Sequence, residues 1–347
     1  MKKLLGALLL VVGVPALILL YWMHTPQGWL TAPAAVIAKL AELQEYSSDN
    51  PSIADTRASR RAAIGFFTAP PAQVAEVRNL SIPGPGGPLP VRIYLPQHSA
   101  TALPIILYFH GGGWVVGDLD SHDNLCRTLA VKTAAVVVSV DYRLAPEHAF
   151  PAALDDADAA LRWVAENART FNGDAARIAV AGDSAGGNLA AALSLLERDR
   201  QGLRLSAQVL IYPAVDLSNL DRQSSLDFAE GYFLTRARMA WFIEQYVPQA
   251  QQRHEQLASP LLASSHAALP PALTITAGFD PLRDEGEAYA TALAEAGVAS
   301  RQQRFEGVLH GFVSMDRWFP EADQATDLIA GFLREQFKTA TAAGEQN

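Results

Sequence analysis

From residue 135 onward, short apolar runs alternate with longer helical patterns, and the alternation is interrupted only once. Runs at 135–140, 178–181, 208–212, 273–277 and 301–305 read as strands, and stretches at 152–168, 187–198, 282–296 and 323–337 read as helices. Three further strand-like runs precede them, at 74–82, 91–95 and 105–109. The first two are joined by the Pro- and Gly-rich stretch 81–90, which reads as a turn. Early strands followed by alternating strand and helix imply an α/β fold with a mostly parallel central sheet and helices on both faces. The interruption spans 213–271 and carries Phe228, Tyr232, Phe233, Trp241, Phe242 and Tyr246. A stretch that long without a strand fits a small helical cap better than a structureless loop.

Composition narrows the function classes. Half of the 347 residues are hydrophobic and 18% are charged, which excludes disorder over most of the length. At ~150 residues per domain the length allows two domains or one large α/β domain. The net charge is −9, and basic residues never run longer than two (Lys2-Lys3, Arg60-Arg61), so nothing suggests a nucleic-acid partner. The single cysteine, Cys126, excludes an internal disulfide and any multi-cysteine metal site.

Residues 4–23 contain no charge and follow Lys2 and Lys3. As a helix, twenty residues would span about 30 Å, one hydrocarbon thickness. The segment ends in Tyr21-Trp22-Met23, suited to a membrane interface, and no further Lys or Arg occurs before Lys39. That asymmetry predicts an uncleaved anchor, with the rest of the chain outside the cytoplasm. A cleaved signal, giving a secreted or periplasmic protein, is the competing reading. The Ala32-Pro33-Ala34 site it would use lies far from the apolar stretch.

The chemistry is carried by two glycine-rich motifs. Gly182-Asp183-Ser184-Ala185-Gly186-Gly187 sits directly between the apolar run 178–181 and the helix that follows. A nucleophilic serine on a strained strand-to-helix turn needs this arrangement, and small neighbours leave room for close backbone approach. The competing reading is an ordinary Gly-rich turn with Ser184 as a helix cap. Some seventy residues upstream, His110-Gly111-Gly112-Gly113-Trp114 follows the run 105–109. Ester hydrolysis passes through an oxyanion that fixed backbone N–H donors must stabilise, and three glycines let a loop turn its amides inward. A phosphate loop would need a following Lys-Ser/Thr or a G-x-G-x-x-G spacing, and neither is present.

With these motifs the chain resembles the hormone-sensitive-lipase family of α/β-hydrolases, which includes many bacterial carboxylesterases. Further matching stretches are Asp141-Tyr142-Arg143-Leu144-Ala145-Pro146-Glu147, Gly278-Phe279-Asp280-Pro281-Leu282-Arg283-Asp284 and His310-Gly311-Phe312. The resemblance implies an α/β-hydrolase fold with a helical cap, oxyanion donors on the backbone of Gly112, Gly113 and Ala185, and a triad in the order serine, acid, histidine. Of eight histidines only His254, His266 and His310 follow Ser184, and His310 alone follows the last strand. Asp280 stands just past the end of the run 273–277, where such a sheet places its site. It would equally serve as a helix cap before Pro281. The resemblance assigns it as the acid, with Asp284 as the alternative.

The expected protein is therefore a membrane-tethered serine carboxylesterase acting on short- to medium-chain esters of small molecules, without metal or organic cofactor. Its expected divisions are an anchor or signal at 1–24, an N-terminal helical cap segment at 25–70, a catalytic domain at 71–213 and 259–340, and a cap insertion at 214–258. Amide hydrolysis or acyl transfer would use the same triad, and a non-catalytic binding protein on this fold is the rival of a different class. Asp155, Asp156 and Asp158 are expected to interact with a helix amino terminus, not a metal. Tyr142, Arg143 and Glu147 read as structural, and Trp114 as a pocket-bordering or packing residue.

Overall fold

The computed structural model describes residues 14–45 and 52–344. Eight strands form its central sheet: β1 (Glu76–Gly84), β2 (Gly87–Leu95), β3 (Leu103–Phe109), β4 (Val136–Val140), β5 (Gly173–Asp183), β6 (Ala207–Ile211), β7 (Ala272–Phe279) and β8 (Ser300–Leu309). They lie side by side in the order β1-β2-β4-β3-β5-β6-β7-β8. The β1–β2 and β2–β4 pairs are antiparallel and every other pair is parallel. Each strand coincides with one of the eight apolar runs.

Helices cover both faces, which is why the inner strands are apolar throughout instead of alternating with polar residues. Side chains still divide with a period of two. Ile105, Leu107 and Phe109 of β3 join a core with α5 (Ala152–Asn167), α6 (Ala185–Asp199) and α9 (Arg283–Glu295). Ile106 and Tyr108 face the opposite core with α4 (Asp123–Thr133) and α10 (Pro320–Gly344). The sequence reading contains no helix at α4. Its buried Leu125, Cys126, Leu129 and Ala130 have helical spacing, but polar residues outnumber them in a stretch that follows a Gly- and Asp-rich loop.

The interval 213–271 contains two helices, α7 (Gln223–Asp227) and α8 (Arg236–Tyr246), and two short 3₁₀ turns. At the amino-terminal side lie α1 (Val14–Met23), α2 (Ala32–Glu45) and α3 (Ile53–Phe67). Helix α2 buries Ala34, Ala35, Ile37 and Ala38 in the second core, and the Thr31 N–H donates to Gly307 O at 2.8 Å. No helix among the described residues is long and apolar enough to cross a membrane. Of the uncharged segment 4–23, residues 4–13 lie outside the described residues, and α1 is the rest. Asp156 departs from its expected role. It is buried and holds the Arg143 N–H and guanidinium at 2.8–3.0 Å, a structural ion pair in place of a helix-dipole contact.

Candidate active site

Four strands end on the residues singled out by sequence. β3 runs into His110 and its three glycines, β5 into Ser184, β7 into Asp280 and β8 into His310. In the sheet order, β3 and β5 are neighbours whose chains leave to opposite sides. The crevice at the carboxyl ends of such a pair is where open α/β sheets place ligands.

Ser184 is the single residue between β5 and α6, with φ 54° and ψ −118°. Such a conformation is strained for a residue bearing a Cβ and persists only where the surroundings enforce it. Here the enforcement is close packing: a Cβ on Gly186 would overlap the Phe109 carbonyl, so no larger residue lets α6 start against the end of β3. The Ser184 N–H donates to Ile211 O at 2.8 Å, fixing the turn to β6.

His310 Nε2 lies 3.0 Å from Ser184 Oγ, and His310 Nδ1 lies 2.7 Å from Asp280 Oδ2. A carboxylate only accepts, so Nδ1 carries the proton and Nε2 is left with a lone pair facing the serine hydroxyl. The other Asp280 oxygen accepts the Leu282 N–H at 2.8 Å, and its side chain is fully buried. Asp284 is engaged elsewhere: its oxygens accept from the Ser224 N–H (2.8 Å) and from Arg283 Nε (2.9 Å). His254 is exposed on a 3₁₀ turn, and His266 Nε2 lies 3.1 Å from Pro260 O. The structure thus brings Ser184, His310 and Asp280 together and leaves the alternatives outside.

The His110–Gly113 loop packs against this turn. Gly112 (φ 129°) and Gly113 (φ 58°) occupy backbone conformations that suit glycine, and the Gly112 carbonyl accepts the N–H groups of Val115 and Val116 at 3.1 and 3.0 Å. A Cβ on Gly113 would overlap the Phe242 ring of α8, which lies directly on the loop. Trp114, completely buried, stacks on Tyr246 with ring centroids 4.4 Å apart and therefore packs.

Sequence reasoning missed what holds this loop. The buried Asp183 carboxylate accepts the Gly111 N–H (2.9 Å) and the Tyr108 hydroxyl (2.6 Å), and faces His122 Nε2 at 3.2 Å. Burial alone would raise its pKa. The facing His122 and the donated hydrogen bonds outweigh burial and hold the carboxyl well below the usual range. The Tyr142 hydroxyl donates to His110 O at 2.6 Å, so Tyr142 has the structural part expected of it. Burial, then the neighbouring His122, lowers His110 to about 4.

Glu285, also missed, supports the other side of the serine. One oxygen accepts the N–H groups of Val215 (2.7 Å) and Asp216 (3.3 Å), in a loop whose Ala214 N–H donates to Ser184 O at 3.3 Å. Burial pushes its carboxyl up from 4.5 to about 8 despite those donors. A folded value above the unfolded one means that the stability Glu285 contributes is complete below pH 4.5 and is lost as pH rises to about 8. His110 acts oppositely, with stability present above pH 6.5 and lost toward pH 4, so the window 6.5–8 lies outside its titration. There the unfolding free energy is expected to fall by up to about 1.4 kcal/mol per pH unit. Glu285→Gln keeps an acceptor for Val215 and should flatten that slope in urea titrations at pH 6.5 and 8. Equal slopes in both proteins would mean that native Glu285 is already ionised.

A hollow of about 900 Å³ lies between the amino-terminal helices and α8, lined by Trp22, Lys39, Glu42, Tyr232, Arg236 and Trp241 among others. None of Ser184, Asp280 and His310 lines it, so it is separate from these three side chains. Among the described residues no group of three or more His, Cys, Asp or Glu side chains is placed to hold a metal ion.

This geometry can be set beside known proteins. The Abhydrolase_3 family, described as an alpha/beta hydrolase fold, matches residues 106–314. The chain belongs to this α/β-hydrolase family. It is similar to the carboxylic ester hydrolase LipN of Mycobacterium tuberculosis, 44% identical over 269 residues that cover 76% of this chain and 71% of that protein. An ethyl acetate hydrolase of Pseudomonas putida is 43% identical over 253 residues, 72% of this chain and 79% of its own. Among solved structures, an ester-hydrolase from the metagenome of Lake Arreo superposes with a TM-score of 0.85 at 41% identity, covering 89% of this α/β-hydrolase and 99% of that chain. The thermostable carboxylesterase EstE1, from a metagenomic library, gives 0.80 at 44% identity, covering 83% and 98%.

Proposed function

We propose that this α/β-hydrolase is a serine carboxylesterase that cleaves short- to medium-chain carboxylic esters through an acyl-enzyme. The observation that carries the reading is the hydrogen-bonded run Asp280–His310–Ser184, ending on a positive-φ serine beside a glycine loop. Relatives named as ester hydrolases at 43–44% identity over most of the chain support the same chemistry.

Ser184 Oγ attacks the ester carbonyl carbon while His310 Nε2 takes the hydroxyl proton. Asp280 keeps the imidazole oriented and stabilises its positive charge. The carbonyl oxygen becomes an oxyanion, held by the N–H groups of Gly112, Gly113 and Ala185. Collapse of this intermediate expels the alcohol, which takes the proton from His310 and leaves Ser184 acylated. Water, deprotonated by His310, then repeats the attack and releases the acid. The residues 71–213 and 259–340 form the catalytic domain in this reading, and 25–70 and 214–258 form its cap.

Phe242 on the glycine loop leaves the acyl side of the serine bounded by the cap, which favours an enclosed pocket of modest length. With p-nitrophenyl esters of graded length, rates are expected to peak below about ten acyl carbons. A maximum at sixteen to eighteen carbons that rises sharply at an oil–water interface would overturn the esterase reading in favour of a lipase.

The amino-terminal residues 1–24 are proposed to hold the chain in a membrane with the catalytic domain outside the cytoplasm. Supporting this are the uncharged stretch 4–23 behind Lys2 and Lys3, and the exposure of Leu17, Ile18, Leu20 and Tyr21 on α1. Full-length protein should fractionate with membranes, and a chain beginning at Thr25 should not. Uncut protein in the soluble cytoplasmic fraction would refute the anchor. Soluble protein outside the cytoplasm, with a new amino terminus near Ala35, would identify a cleaved signal.

A further inference from the structure

Helix α3 lies outside the family match and buries none of its residues, yet hydrogen bonds tie it to both sides of the catalytic site. Near its start, Arg57 Nε donates to Val115 O at 2.8 Å and a terminal nitrogen donates to Ala145 O at 3.1 Å. The same guanidinium makes a two-pronged contact with Glu147, 2.8 Å on each oxygen. One turn on, Arg61 Nε donates to Asp118 Oδ2 at 2.8 Å. At the other end, Trp318 Nε1 donates to Phe66 O (2.7 Å), and the Arg317 N–H donates to Phe67 O (3.1 Å). The helix is thus a strap from the glycine loop to the segment just after His310.

The Arg57 contacts fall on a sensitive place. Val115 closes the glycine turn, since its N–H donates to Gly112 O, and its carbonyl is the one Arg57 holds. The next tie is Ala145 N–H to Trp114 O at 2.8 Å, and Arg57 also holds the Ala145 carbonyl. One guanidinium therefore brackets both chains of this backbone bridge. Val115 and Ala145 are fully buried, so a carbonyl deprived of its donor there must rotate to find another. Such a rotation at Val115 turns the peptide unit that also carries the Val116 N–H, which donates to Gly112 O at 3.0 Å, and the Gly112 carbonyl shares its own peptide unit with the Gly113 N–H. A flat fork with fixed donor directions suits this task, and a lysine ammonium cannot span the same acceptors. With no fully buried residue, α3 is positioned by these polar ties together with the half-buried Ile53 and Phe67, which pack against the two cores.

We infer that Arg57 is a positioning residue for ester hydrolysis: by holding Val115 and Ala145 it fixes the Gly112–Gly113 peptide and so aims the Gly113 amide, and α3 must be docked for the oxyanion to be stabilised. The inference rests on the serine esterase reading above.

The test uses the full chain with Arg57→Gln, Arg57→Lys and Arg57→Ala. Turnover of a short p-nitrophenyl ester is expressed per active site titrated with a phosphonate, so loss of folded protein does not count as loss of rate. Inhibition by phenylboronic acid supplies the second readout. In that adduct Ser184 Oγ bonds to boron, its proton passes to His310, and a boron oxygen takes the oxyanion position. Arg57→Gln is expected to lower kcat per site about 10- to 100-fold, less than the roughly 100- to 1000-fold cost of removing an oxyanion donor outright, with KM within about threefold. The boronate inhibition constant should rise by a similar factor. Guanidinium ion at millimolar levels should restore part of the Arg57→Ala rate. If Arg57→Gln does not fold, Arg57→Lys decides by the same readouts, because it keeps the charge facing Glu147 and loses the fork. A kcat per site within twofold of the parent overturns the inference, as does a loss carried by KM alone with boronate affinity unchanged. A parent protein that neither turns over the ester nor titrates with the phosphonate would overturn the esterase reading itself.

Discussion

Ser184→Ala is expected to lower ester turnover by about five to six orders of magnitude, the largest effect of any single substitution in this chain. In the proposed mechanism the substitution removes the atom that bonds to the acyl carbon and leaves the proposed oxyanion donors and cap in place. Residual rate, if measurable, should be the slow attack of water on an ester held beside Gly112, Gly113 and Ala185. Stability should change little. The Ser184 hydroxyl has one partner, His310 Nε2, while the turn is held by backbone bonds to Ile211 and Ala214 and by the fit of Gly186 under Phe109. Melting temperatures of the two proteins should therefore agree within a few degrees. An organophosphate should label the parent at Ser184 and leave the variant unlabelled, as read by peptide mass mapping. More than about one per cent of parental kcat in a freshly purified variant would place the nucleophile on another residue, since losses of this kind leave far less.

The parts of the fold and site that are legible in sequence are those encoded by local pattern. The inner strands of the sheet are mostly apolar runs, because a sheet covered on both faces demands apolar side chains at nearly every inner position, while the edge strands β1 and β8 mix polar and apolar residues. Ser184, Asp280 and His310 are legible because each lies within a few residues past a strand-like run, and a parallel sheet delivers all its carboxyl ends to one edge. What the sequence hides is pairing over distance. Arg57 meets Glu147 ninety positions away, and Asp183 meets Tyr108, Gly111 and His122 from more than sixty positions away. No spacing rule selects those partners. Asp156 shows the same limit in reverse: a carboxylate early in a helix reads as a dipole partner until Arg143 is seen folding onto it. Glu285 sits three residues into an ordinary helix, and nothing local to it says that its carboxyl faces the backbone behind Ser184.

The choice between Asp280 and Asp284 yields the second large effect, and hydrogen-bond geometry fixes its direction. Asp280 offers one oxygen to the Leu282 N–H and the other to His310 Nδ1, so both partners need an acceptor. Asp280→Asn supplies only one. With its oxygen toward Leu282, its amide NH₂ faces Nδ1, which must then give up its proton and accept. The proton moves to Nε2, and the lone pair that should receive the Ser184 proton is gone. With its oxygen toward His310, the NH₂ opposes the Leu282 N–H at 2.8 Å, two donors facing each other in a buried site. Either arrangement also removes the negative charge that stabilises the imidazolium. A fall in kcat of about four orders of magnitude is expected, the loss seen when a triad carboxylate becomes an amide. Asp284→Asn should behave differently. Its carboxylate accepts the Ser224 N–H at the start of α7 and pairs with Arg283, so its loss should cost about 1–2 kcal/mol of stability and change kcat less than tenfold. Steady-state kinetics and melting curves on both variants separate the two roles. The reverse ranking, a catalytic collapse in Asp284→Asn with Asp280→Asn nearly intact, would move the acid one helical turn onward and leave the 2.7 Å contact to His310 without a chemical purpose.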